Sequence, residues 1–63
     1  MGLREEKKAR LKRDIYRTAV KLFLEKGFEE TRVEDITRRL RISRGTFFNY
    51  YPNKGSILHK IAE

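Results

Sequence analysis

Ser43-Arg44-Gly45-Thr46 puts a planar guanidinium, a residue without a side chain and a hydroxyl next to a methyl within one helical turn. Arg44 can donate two parallel hydrogen bonds to the O6 and N7 edge of guanine, or pair with a phosphate if it turns outward. Gly45 lets backbone come close to whatever the turn meets. Thr46 offers a methyl for a thymine methyl and a hydroxyl for a base or phosphate. Asn49 and Tyr50 lie one turn further along, and a helix over this stretch would carry Thr46, Asn49 and Tyr50 away from Phe47 and Tyr51. Phe47 and Tyr51 then share one face and belong to a core with Ile36 and Phe23, so the aromatic run divides into core and edge.

Other chemistry is poorly supported. His59 stands alone, and there is no cysteine, which excludes a disulfide framework and the thiolate zinc sites. Glu29-Glu30 and Glu34-Asp35 are paired carboxylates, but each pair lies where it would serve the N-terminus of a helix. No nucleophile–base pair is apparent, so the chain reads as a non-enzyme with no catalytic residue, metal or cofactor.

The charge favours a polyanion. The chain has 63 residues and a formal charge of +7. Residues 1–13 hold six basic groups against two acidic ones, and residues 32–54 repeat that balance around a nearly neutral middle. A chain of this length buries only about 60% of the surface its unfolded form exposes. It supports one small core and excludes an enclosed ligand cavity of the usual roughly 300 Å³ or more. The longest apolar stretch is Leu22-Phe23-Leu24, too short to span a bilayer or form a signal-peptide core.

The elements that position these residues are helical. Leu11, Ile15, Ala19, Leu22 and Phe23 form a single stripe at the helical period, broadened by Val20 and Leu24 and ended at Gly27, with Lys26 in the last turn. Thr31-Arg32-Val33-Glu34 matches a capping box for a second helix through Val33, Ile36, Thr37 and Leu40. Arg41-Ile42 then leads to Ser43, the cap of a third helix from Arg44 to about Tyr50, which Pro52 halts. Asn53 can cap a fourth helix from Lys54, with Ile57, Leu58 and Ile61 facing inward and the helix still running at Glu63. Two short helices joined by a tight turn, the second basic and polar, make a helix-turn-helix. In that arrangement the second helix presents its N-terminal residues to base edges in the major groove.

Gly27-Phe28-Glu29-Glu30-Thr31-Arg32-Val33-Glu34-Asp35-Ile36 and Ile42-Ser43-Arg44-Gly45-Thr46-Phe47-Phe48-Asn49-Tyr50-Tyr51-Pro52-Asn53-Lys54 resemble the N-terminal domain of the TetR family of transcriptional regulators. The likeness covers about residues 13–62. It implies an all-α, homeodomain-like fold: a three-helix DNA-binding domain with a helix-turn-helix, plus the start of a fourth helix. The implied organisation is a basic arm or helix extension over 1–10, the DNA-binding domain over 11–53, and over 54–63 a helix leading to a C-terminal domain outside this sequence. That further domain would form the homodimer and take a small-molecule inducer, which this segment does not bind.

By the same resemblance the protein is a cytoplasmic, nucleoid-associated repressor of double-stranded operator DNA. Base contacts are expected from Arg44, Gly45, Thr46 and Asn49, and phosphate contacts from Thr31, Ser43, Tyr50 and Lys54. Four residues depart from the family pattern: Arg41 replaces a turn glycine, Thr37 an alanine, Phe48 a phosphate-binding tyrosine, and Gly55 a frequent glutamate. The competing reading is a basic amphipathic helical module that binds anionic membrane or a protein partner.

Overall fold

A computed structural model describes residues 3–62, with side chains described over 7–59. Four helices follow one another: α1 (Leu3–Lys26), α2 (Val33–Leu40), α3 (Arg44–Tyr50) and α4 (Gly55–Ala62), with no strand among the described residues. The helix expected from the Leu11–Leu24 stripe extends back to Leu3, so the basic residues ahead of the stripe ride on α1. Ile61, expected on the inner face of α4, lies outside the residues whose side chains are described.

Periodicity sets the core. Ile15, Ala19 and Leu22 of α1 meet Ile36 of α2, Phe47 of α3, Tyr51 and Ile57 of α4, all buried. Each helix thus contributes at least one anchor, and the three short helices depend on this shared packing because isolated helices of their length are marginal in water. Phe47 is fully buried, with the Phe48 ring edge-on at 5.2 Å and the Tyr51 ring at 6.1 Å. Phe23 packs at the margin of this cluster and pairs with Phe28 at 5.0 Å. Leu58 does not join the core: it is 39% exposed, whereas the neighbouring Ile57 is fully buried.

The helix ends show how local chemistry fixes the angles between elements. Gly27 adopts φ +96°, and its N–H donates to Phe23 O at 2.9 Å, closing α1. No atom lies within 4 Å of the position a Cβ would take there, so conformation, not space, calls for glycine.

The start of α2 differs from the Thr31–Glu34 capping box by one residue. Arg32 is the capping position, and its N–H donates to Asp35 Oδ2 at 2.9 Å. Thr31 is fully buried and faces the other way. Its hydroxyl donates to Gly27 O at 2.7 Å, with Leu22 O at 3.2 Å beside it. Gly27 O, just past the end of α1, accepts the Thr31 N–H at 3.1 Å as well as its hydroxyl.

α2 closes on Arg41, a non-glycine residue in the left-handed region at φ 58°, ψ 44°. Ile42 N–H reaches back to Thr37 O at 3.0 Å, the bond across the end of the helix that a left-handed residue makes possible. Thr37, in place of alanine, is buried and places its hydroxyl on Glu34 O at 3.2 Å, so its polar atom is satisfied within α2.

Candidate nucleic-acid interface

Ser43 caps α3 as the sequence predicts. Its Oγ accepts from Thr46 N–H at 3.1 Å and lies 2.9 Å from Thr46 Oγ1. The two hydroxyls are coupled, so Ser43 fixes the orientation of Thr46 as well as capping α3. Tyr51 N–H closes α3 on Phe47 O at 3.0 Å before Pro52. With Phe47 and Tyr51 buried, α3 presents Arg44, Gly45 and Asn49 to solvent and leaves Thr46 half-buried at the rim. Tyr50, expected to point away from the core, is half-buried and packs against it, so only part of the ring remains accessible.

Arg44 is held in place although it is exposed. Its Nη1 lies 3.3 Å from Glu34 Oε2, and its guanidinium carbon lies 5.8 Å from the centre of the Phe48 ring. Phe48 lacks the hydroxyl of the tyrosine it replaces, and its partly exposed ring serves as a surface for the guanidinium. The sequence reading gave Glu34 only a place at the helix N-terminus and missed this pairing, ten residues away along the chain. An acidic residue in the first turn of α2, the helix that abuts the start of α3, was the available signal.

Two of the residues expected at phosphates make contacts within the fold. Thr31 is fully buried with its hydroxyl on the Gly27 and Leu22 carbonyls, so that side chain cannot meet a phosphate from this conformation. Lys54 Nζ is 2.6 Å from Phe28 O, 2.7 Å from Thr31 O and 3.5 Å from Glu29 O, and stands 4.3 Å above the Phe28 ring. An ammonium has three N–H donors, and all three point at the loop between α1 and α2. Lys54 therefore ties the start of α4 to the α1–α2 loop.

Asn53 caps α4 through Ser56 N–H at 2.9 Å. A Cβ on Gly55 would come within 3.1 Å of the capping Asn53 Oδ1, so a side chain there would require that group to shift by a few tenths of an ångström.

A second tie joins α1 to α2. Lys26 Nζ lies 3.1 Å from Asp35 Oδ2, the same oxygen that accepts from Arg32 N–H. The Arg32 N–H, followed by the Lys26 ammonium, holds the Asp35 carboxyl below its ordinary value. At Tyr51, burial raises the phenol pKa above its ordinary value, and neighbouring Tyr16 adds to the effect.

Lys7, Lys8, Arg10, Lys12 and Arg13 are exposed along the first half of α1. Lys12 stands 5.8 Å from the centre of the Tyr51 ring, beside an open groove of about 380 Å³ that Arg13 and Tyr16 also line. Among the described residues no helix is long and apolar enough to cross a membrane.

A short α2, a tight left-handed turn and an α3 anchored by one buried aromatic define a helix-turn-helix domain. The family model of bacterial regulatory proteins, tetR family, matches residues 15–61. The chain belongs to that family.

The HTH-type transcriptional regulator YuxN of Bacillus subtilis is 43% identical over 44 residues, which cover 70% of this chain and 15% of that protein. The HTH-type transcriptional regulator TcmR of Streptomyces glaucescens is 36% identical over 56 residues, covering 89% of this chain and 25% of that protein. The negative transcriptional regulator IcaR of the Staphylococcus epidermidis biofilm operon icaADBC is 34% identical over 53 residues, 84% of this chain and 29% of that protein. The chain thus spans less than a third of the length of these relatives. No solved structure gives a significant match.

Proposed function

We propose that this domain binds double-stranded operator DNA sequence-specifically, with α3 in the major groove, and serves a transcriptional repressor. The observation that carries the reading is the division of α3: Phe47 is fully buried while Arg44, Gly45 and Asn49 are exposed on the same seven-residue helix. Arg44, Thr46 and Asn49 discriminate bases, and Gly45 lets the backbone approach the groove. Ser43 and the accessible part of Tyr50 meet phosphates. The exposed cations of α1 add affinity that does not depend on sequence, through release of counterions from the duplex.

The wider role rests on kinship with whole regulators. Residues 11–53 form the reading domain and α4 leads toward a C-terminal domain. That domain joins two copies, so that a two-fold operator is read by a dimer, and it takes a small-molecule inducer that releases the DNA. The protein acts in the cytoplasm at the nucleoid.

Parallel titration of a randomised duplex pool and of anionic liposomes tests the binding reading. Recovery of a common sequence from the bound duplexes, with weaker binding to liposomes at moderate salt, is the expected result. Stronger liposome binding with no recovered sequence preference would make the domain a basic amphipathic module instead.

A further inference from the structure

Glu34 is an anomaly on a surface built to meet a polyanion. It lies in the first turn of α2, its side chain is 48% exposed, and it reaches across to Arg44 at the first position of α3. An ion pair this exposed contributes little to stability, because water screens it and two long side chains must be held still to form it. A carboxylate facing phosphates is also repulsive. Both terms disfavour Glu34 unless it changes what Arg44 does.

The geometry points to Glu34 as a specificity-determining residue that acts through Arg44, an inference that rests on the base-reading role given to Arg44 above. Arg44 is held on two sides, by Glu34 Oε2 at 3.3 Å and by the Phe48 ring one turn further along α3 at 5.8 Å. A guanidinium has five N–H donors in a planar fork, so one edge can remain on a carboxylate while another meets a guanine. Engaging a phosphate instead means swinging away from Glu34 and leaving its carboxylate unpaired beside the DNA backbone. Glu34 therefore penalises the sequence-independent use of Arg44 more than the sequence-specific one. Discrimination built by adding a repulsive group against the wrong partner is a general device.

The test measures binding of the intact chain to two duplexes, one selected from a random pool and one scrambled version of the same composition. Glu34→Ala should bind the scrambled duplex several-fold more tightly. Its plot of log affinity against log salt should steepen by about 0.9, the increment for one added phosphate contact. Binding to the selected duplex and the melting temperature should change little, so the ratio between duplexes shrinks.

In an Arg44→Ala background, Glu34→Ala should no longer alter that ratio. Persistence of the effect in that background would show that Glu34 acts independently of Arg44 and overturn the inference. So would an unchanged scrambled-duplex affinity and slope, or equal losses on both duplexes with a lower melting temperature. If Arg44→Ala alone leaves the ratio intact, the base-reading assignment itself fails and this inference falls with it.

Discussion

Lys54 and Thr31, two residues placed by sequence to reach phosphates, are bonded to each other: Lys54 Nζ donates to Thr31 O at 2.7 Å. Thr31 in turn donates its hydroxyl to Gly27 O at 2.7 Å. The end of α1, the loop after it and the start of α4 are thereby joined through side-chain-to-backbone bonds. The orientation of α2, and through it the reading helix, depends on this joint.

Lys54→Ala should therefore act on stability first. Hydrogen bonds to a charged group contribute about 1.5–3 kcal/mol, and in a domain this small a loss of about 2 kcal/mol lowers the melting temperature by roughly 10 °C. The salt dependence of binding by the folded fraction should stay the same. A flattened salt slope with unchanged melting would return Lys54 to the phosphates.

Arg41→Gly should stabilise the domain. A side chain at φ 58° costs roughly 1–2 kcal/mol, and glycine avoids that cost while giving back part of it through a freer unfolded chain. The net gain expected is up to about 1 kcal/mol, measured by chemical denaturation. A loss on this substitution would mean that the Arg41 side chain makes a stabilising contact.

Asp35 gives the domain an acid-sensitive element. Its folded-state pKa lies below the ordinary value of 3.8, so the native state binds this proton less readily than the unfolded chain does. The resulting stability is fully present well above pH 3.8 and is lost as pH falls through the lower, folded value. Asp35→Asn should be less stable than the parent at neutral pH, with the gap closing in acid. Parallel denaturation curves at all pH values would show that Asp35 contributes no proton-linked stability.

Phe47→Ala should cost about 3–5 kcal/mol through lost burial and the cavity left behind. The small core offers little to absorb that loss, and helical circular dichroism should largely disappear. A folded Phe47→Ala variant defective only in DNA binding would contradict the division of α3 into a buried face and a reading face.

What was legible in the sequence was local. The stripe from Leu11 to Phe23, Gly27 at the end of α1, Ser43 ahead of α3 and Pro52 after it each act within a few residues, and the helices follow them. The second cap was placed one residue early, at Thr31 with Glu34, where the structure uses Arg32 with Asp35. Thr31 is instead buried with its hydroxyl on the Gly27 and Leu22 carbonyls, and that is a tertiary demand.

The partners Lys54 has within the fold were not legible for the same kind of reason. Its partners lie 23 to 26 residues back along the chain, and no spacing rule connects an ammonium to backbone carbonyls at that distance. The Glu34–Arg44 pair likewise appears only once α2 and α3 are packed together.

The central claim is that Arg44 at the head of α3 reads a base. Each base pair of a duplex selected from a random pool can be replaced in turn, and binding measured for the parent and for Arg44→Ala. The account predicts that the parent loses about 1–3 kcal/mol at a guanine position. Arg44→Ala should be nearly indifferent at that position while keeping its preferences elsewhere and its melting temperature. An Arg44→Ala variant that weakens uniformly on every duplex, with all positional preferences intact, would show that Arg44 grips only the backbone and would contradict the account.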